Sequence, residues 1–264
     1  MKSLNGKELA GFIKESQYHQ VKTLKTAPKL LIIRDSENPV IKKYVDLKKR
    51  YGEDIGVIVE DFYAKNSDEI AEKIKSANSD PEINGIILQL PILEKEKTGE
   101  LTSLIVPEKD VDGLSGSENA YDSATATAIL WLLTGYDIDL KTKNIALVGR
   151  GKLVGAPLYK MFKNSNYHVD LFHRGSDLTK LNQYDIIITA TGVPGLILNS
   201  MVKSGAYLID AGTASEKGVL KGDASEEVRE RTDLAGITPI IGGVGPLTIT
   251  CLFAHVIQSA QKLS

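Results

Sequence analysis

Short apolar runs rich in β-branched residues recur along the chain, separated by longer amphipathic stretches. This alternation limits the fold more than any other feature. The runs are KLLIIR (29–34), IGVIVE (55–60), INGIILQL (83–90), KNIALVG (143–149), HVDLFH (168–173), YDIIITA (184–190) and GAYLIDA (205–211). Helical periodicity falls at 7–16, 39–51, 67–77, 153–163 and 224–232. Strands this uniformly apolar are covered on both faces, and a parallel neighbour requires a crossover, usually helical. The sequence therefore predicts an α/β protein with parallel sheets. A Gly-, Ser-, Asn- and Asp-rich seam, GLSGSENAYDS (113–123), separates two groups of runs. Apolar helices are expected at TATAILWLLTG after the seam and at PLTITCLFAHVIQSAQKLS near the end. The expected domains are residues 1–122 with a C-terminal helix over 248–264, and residues 123–247.

Charge and cysteine content narrow the class. Lys and Arg number 32 against 34 Asp and Glu, so no general polyanion-binding surface is expected and nucleic acid is disfavoured as a partner. The single cysteine, Cys251, excludes an intrachain disulfide and a Cys-rich zinc site, and it suits a reducing compartment. MKSLNGKELAGFIKES has no apolar signal core. No apolar run approaches the roughly 18 residues that cross a bilayer. The expectation is a cytoplasmic protein that does not enter membranes. His168, His173 and His255 lack Cys or carboxylate companions at metal-ligand spacing. They are read as structural or surface histidines, His173 beside an adenosine, and no catalytic metal is expected.

VGRGKLVGAP (148–157) follows the apolar NIALVG and precedes a helical pattern. Such a strand–glycine turn–helix unit lets backbone N–H groups and a helix N-terminus face a phosphate. Gly149 and Gly151 permit close approach. Gly155 comes one residue later than the dinucleotide fingerprint requires, so a plain βα turn is the competing reading. The next strands end in TATGVPG (189–195) and DAGTA (210–214), small residues that leave room for a cofactor across strand ends. An NAD-type ribose favours an acidic residue at the end of the second strand, about 20 residues on. Asp170 is internal to its strand, whereas His173 and Arg174 stand at the end and Arg150 lies in the turn. Two guanidinium groups suit a 2′-phosphate, which favours NADP, with NAD as the alternative.

The first half carries proton chemistry. Tyr44 and Lys48 are four apart and share a helix face crowded by Lys42, Lys43, Lys49 and Arg50. A partly desolvated lysine among cations exchanges protons near neutrality, although the same spacing also fits an ordinary basic face. Gln89 closes the GIILQ strand, where it can orient an amine or act as a loop cap. Asp110 and Asp112 in PEKDVDG point to opposite faces if extended, so one can meet substrate while the other holds structure.

NGKELA, NPVIKKYVDLK, GIILQLP, PEKDVDG, VGRGKLVGAP, GVLKGDA and ITPIIGGVGPLT, in this order, resemble the methylenetetrahydrofolate dehydrogenase/cyclohydrolase family over nearly the whole chain. The resemblance implies a parallel-sheet substrate domain and a Rossmann-type dinucleotide domain with a cleft between them. It also implies a homodimer formed through the dinucleotide domain. The implied activity is NADP- or NAD-dependent oxidation of 5,10-methylenetetrahydrofolate to the 5,10-methenyl cation, then its hydrolysis to 10-formyltetrahydrofolate. By the same resemblance Lys48 is the general acid/base, Tyr44 stacks on the folate, Gln89 tunes Lys48 and Asp112 anchors the pterin N–H groups. Gly242, Gly243, Val244, Gly245 and Pro246 form a folate-side loop, and Gly149, Arg150, Gly151, Arg174 and Thr213 meet the cofactor.

Several positions depart from the family pattern. Ile41 replaces a serine, SATA (123–126) replaces Pro-Cys-Thr-Pro, and Gly151 and Arg174 stand where serines are usual. Ile241 replaces a proline. Each loss amounts to rigidity or one hydrogen bond, about 1 kcal/mol. The leading expectation is a bifunctional enzyme. Its alternatives are a member with one activity lost and a catalytically idle folate- or nucleotide-binding homologue, and the retained Lys48, Tyr44 and Gln89 favour an enzyme.

Overall fold

Each apolar run contains a strand, and those strands pair in parallel. The structure is a computed structural model that describes residues 1–117, 120–212, 214–216 and 219–263. The chain begins β1 (Lys2–Ser3), α1 (Gly6–Lys22), β2 (Lys29–Arg34), α2 (Pro39–Ile55), β3 (Ile58–Tyr63), α3 (Ser67–Ser79), β4 (Gly85–Leu88) and α4 (Thr98–Ser103). It continues α5 (Ala124–Gly135), β5 (Ile145–Val148), α6 (Gly155–Asn164), β6 (Val169–Phe172), β7 (Ile186–Thr189) and β8 (Tyr207–Asp210). The last elements are β9 (Ala214–Glu216), β10 (Val219–Lys221), α7 (Glu226–Arg229), β11 (Gly236–Ile237) and α8 (Val244–Leu263).

Two compact units result: 11–124 with 249–264, and 1–10 with 125–248. In the first, β2 is the centre of a three-stranded sheet ordered β3-β2-β4. Leu31, Ile33, Ile86 and Leu88 pack with Ile70 and Ile74 of α3 in one apolar cluster. The α2 helix starts because the Asn38 side chain accepts the Val40 N–H at 2.9 Å and Pro39 suits the first turn. It stops at Gly56, in the left-handed region with φ 83°, whose N–H returns to the Glu53 and Gly52 carbonyls. That cap moves the following strand: Ile55 and Gly56, expected to open it, end the helix instead, and β3 runs from Ile58 to Tyr63.

The second unit holds a six-stranded sheet ordered β1-β11-β8-β7-β5-β6. The chain leaves β5 for β6, then crosses back to the other side of β5 for β7 and β8. The direction reverses at the carboxyl ends of β5 and β7, where doubly wound folds bind ligands. Ala146, Val148, Ile187, Ile197 and Leu208 form part of its core. The β9–β10 pair is an antiparallel hairpin that the periodicity did not disclose.

The first ten residues differ from the expected division. They belong with the dinucleotide-type unit because β1 pairs with β11, the Leu4 N–H reaches the Ile237 carbonyl at 2.9 Å, and Leu4 is wholly buried. Asn5 then caps α1 by accepting the Lys7 and Glu8 N–H groups at 3.1 and 3.3 Å.

Candidate active site

The Lys48 ammonium donates to Gln89 Oε1 at 2.7 Å. This contact is built by two elements: α2 turns Lys48 inward one turn after Tyr44, and Gln89 follows directly on β4. Register is fixed by the Gln89 N–H bonding the Ile33 carbonyl at 2.8 Å. Gln89 Nε2 is turned toward the Leu90 carbonyl at 3.2 Å, so its carbonyl oxygen is the end offered to Lys48. Burial lowers the Lys48 pKa, opposed by the negative charge of Asp112. Burial also pushes the Asp112 carboxyl up to about 6, against the pull of Lys48, while Asp110 adds to the rise. Lys48, Gln89 and Asp112 are therefore brought together as one electrostatic group. Tyr44 lies one turn away, half-buried, its hydroxyl without a protein partner among the described residues.

The two aspartates divide their tasks. Asp110 accepts the N–H groups of Gly113, Leu114 and Ser115 at 3.1, 3.2 and 2.8 Å, and so folds the loop that follows. Gly113 has φ 71° and a Cβ there would lie 2.4 Å from the Tyr121 carbonyl oxygen. Asp112 is left to face Lys48.

In the other unit, β5 runs into the glycine turn. Gly149 has φ 112°, and a Cβ would sit 2.7 Å from the Ala190 carbonyl oxygen. The late Gly155 opens α6, two residues after the start expected from the sequence, and a Cβ on it would meet the Gly149 carbonyl oxygen at 2.1 Å. Helix and turn touch backbone to backbone there, which is why the glycine is needed one place late. Gly151 differs: among the described residues nothing lies within 4 Å of a Cβ built on it. Arg150 and Arg174 are exposed, and neither pairs with a carboxylate among the described residues. Asp170 is mid-strand and accepts the Tyr184 hydroxyl at 2.8 Å. A dinucleotide fits this turn, which offers an unfilled Cβ position, the start of a ten-residue helix and two uncommitted guanidinium groups. Thr213 lies outside the described residues.

Residues 4–112 match the family described as tetrahydrofolate dehydrogenase/cyclohydrolase, catalytic domain, and residues 123–264 match its NAD(P)-binding domain. The chain belongs to the tetrahydrofolate dehydrogenase/cyclohydrolase family. Among its relatives in this family is a protein named bifunctional protein FolD from Lactobacillus acidophilus, 37% identical over 99% of this chain and 98% of the relative. A Staphylococcus aureus protein of the same name is 35% identical over 99% and 97%. The crystal structure of a bifunctional FolD methylenetetrahydrofolate dehydrogenase/cyclohydrolase from Campylobacter jejuni superposes with a TM-score of 0.92 at 31% identity, covering 99% of each chain.

Within this tetrahydrofolate dehydrogenase/cyclohydrolase chain, Gly242 and Gly243 belong to the dinucleotide unit, where they meet the start of α1. The Lys7 N–H donates to the Gly242 carbonyl at 2.9 Å, and a Cβ on Gly6 would be 2.0 Å from the Gly243 carbonyl oxygen. NGKELA and GGVG are thus one packed feature. Pro246 sits in the first turn of α8.

Sequence reasoning missed a buried acidic knot behind the ends of β7 and β8. Asp223 Oδ2 accepts the Thr189 hydroxyl at 2.6 Å and the Thr191 N–H at 2.7 Å. Its other oxygen is buried against Gly212, without a donor among the described residues. Asp210 accepts N–H groups from Gly212, Asp223 and Ala224 and pairs with Arg229, and burial still raises its pKa. Its one trace in the sequence is GDA after a strand, which carries no period. His255, for which the sequence allows a structural or a surface place, has its Nδ1 2.8 Å from the Val111 carbonyl oxygen and its ring stacked on Tyr121. Among the described residues no cluster of His, Cys, Asp and Glu suitable for a metal is found, and no helix is long and apolar enough to cross a membrane.

Proposed function

We propose that the chain oxidises 5,10-methylenetetrahydrofolate to the 5,10-methenyl compound with NADP as hydride acceptor, and hydrolyses that product to 10-formyltetrahydrofolate. The observation that carries this reading is the Lys48 Nζ–Gln89 Oε1 contact of 2.7 Å beside the half-buried Asp112. Hydrolysis adds water to the methenyl carbon, removes a proton from that water and delivers one to the departing ring nitrogen. Lys48 suits this exchange because burial loosens its proton, and Gln89 holds the amine in one direction. Asp112 anchors the N–H groups of the pterin as an ionised acceptor, and Tyr44 offers a ring face to the folate and a free hydroxyl. The Gly242–Gly243 loop and Pro246 are proposed to contact the folate as well.

Gly149 and the start of α6 would hold the pyrophosphate, Gly151 would leave the turn open, and Thr213 is proposed as a further cofactor contact. Arg150 and Arg174 would take the 2′-phosphate. Bound NADP would supply the hydride acceptor. The position of Asp170, mid-strand and bonded to Tyr184, removes the acidic strand end that an NAD ribose favours. We further propose a cytoplasmic homodimer formed through the dinucleotide unit. The buried Cys251, whose thiol pKa is raised by burial, is compatible with a reducing setting, and equilibrium sedimentation tests the dimer.

Purified protein mixed with 5,10-methylenetetrahydrofolate and NADP should produce reduced-nicotinamide absorbance, more efficiently than with NAD. The methenyl compound supplied alone should lose its absorbance faster than the uncatalysed rate. Absence of both accelerations at saturating ligand overturns the enzyme reading, and loss of one assigns a monofunctional member.

A further inference from the structure

The segment carrying Asp112 is fastened to one face of α8. Ser259 Oγ donates to the Glu108 carbonyl at 3.0 Å. One turn earlier on the same face, His255 Nδ1 lies 2.8 Å from the Val111 carbonyl oxygen, the residue immediately before Asp112. A carbonyl only accepts, so Nδ1 carries the proton. The His255 ring stacks on Tyr121 with centroids 4.7 Å apart and planes 20° apart. On the far side, Asp112's own carbonyl accepts the Ala124 N–H at 3.3 Å. Behind the segment there is no slack: a Cβ on Gly85 would lie 2.8 Å from a Val111 methyl. The peptide that sets the direction of the Asp112 side chain is thus bonded on both sides, and the bond on its N-terminal side comes from a side chain some 140 residues away in sequence.

We propose that His255 is a positioning residue for folate binding: its Nδ1–H holds the Val111–Asp112 peptide so that the Asp112 carboxylate faces the N–H edge of the pterin. The proposal rests on the reading of Asp112 as the pterin anchor. His255 touches no reacting atom. Its bond and its stacking are separable by substitution. His255→Phe keeps a ring against Tyr121 and removes the donor, whereas His255→Asn places an amide N–H where Nδ1 stands and removes the ring.

Steady-state kinetics on the full chain should show the folate KM of His255→Phe raised about five- to tenfold, with the NADP KM unchanged. His255→Asn should return the folate KM to within about twofold of the wild type. An unchanged folate KM in His255→Phe, or an equal defect in His255→Asn, overturns the proposal, the second outcome by giving the effect to the ring. Asp112→Asn run alongside separates the two levels: if it leaves the folate KM untouched, the anchor reading itself fails. Should His255→Phe not fold, the wild type supplies the answer by nuclear magnetic resonance. The Nδ1–H of His255 should exchange with water several-fold more slowly when tetrahydrofolate is bound, and an unchanged exchange rate overturns the coupling.

Discussion

At the scale of single residues, burial sets the chemistry. The Asp112 carboxyl, raised from its ordinary 3.8 to about 6, binds its proton more tightly in the native than in the unfolded chain. Between about pH 4 and 6 the native state therefore holds more protons, and stability falls as pH rises through that window, by up to about 3 kcal/mol. Lys48 has the opposite slope, because the unfolded chain keeps a proton that the buried amine releases sooner, so its contribution improves at alkaline pH. Urea denaturation of wild type and Asp112→Asn at pH 4 and 7 should show the wild type losing stability relative to the variant as pH rises. The folate KM should in turn rise below about pH 6, where the anchor becomes protonated. Lys48→Met should reduce cyclohydrolase kcat by about 100-fold or more, and unchanged hydrolysis would remove Lys48 from its role.

Among the elements, the glycine turn separates what folding needs from what the ligand needs. Gly155→Ala forces a methyl to 2.1 Å from a backbone oxygen and should cost about 3 kcal/mol in thermal or urea unfolding. Gly151→Ala meets open space and should change stability by no more than about 0.5 kcal/mol. Arg174→Ala, at the exposed end of β6, should raise the NADP KM about tenfold while leaving that for NAD unchanged. Much of this region was legible beforehand, because strand, turn and helix are contiguous and each carries its own period. Two things were not. The distance between Gly155 and Gly149 is a three-dimensional contact with no sequence period, and the Asp223 knot joins residues 34 apart whose only common property is burial.

At the scale of the whole molecule, the alternation of strands and helices disclosed the architecture, and the chain passes from one compact unit to the other at residues 124–125, just after the Gly-, Ser-, Asn- and Asp-rich seam. The exception was the start of the chain. Lys2 and Ser3 form a strand too short to show a period, so their pairing with β11 was hidden, and with it the unit to which residues 1–10 belong. Leu4→Ala tests this directly. It should cost about 3 kcal/mol. Amide exchange should quicken in β8 and β11 and not in β2 to β4, since Leu4 lies in the dinucleotide unit. Lys48 and Gln89 stand out in the sequence by spacing and by strand end, but each also fits a plainer reading there, and their 2.7 Å contact joins two elements that no sequence period connects. The contacts of His255 were not legible, since its partners Val111 and Tyr121 are met only after α8 has folded back along that segment.

Gly151 sits between two glycines whose side-chain positions are filled by backbone, yet its own is empty. A lineage can therefore vary this position freely, adding a hydroxyl toward a phosphate or withdrawing it, without disturbing the helix that follows. Cofactor preference in such a chain can drift by single codon changes while the fold stays fixed, and Gly151→Ser is the first step of that path open to selection.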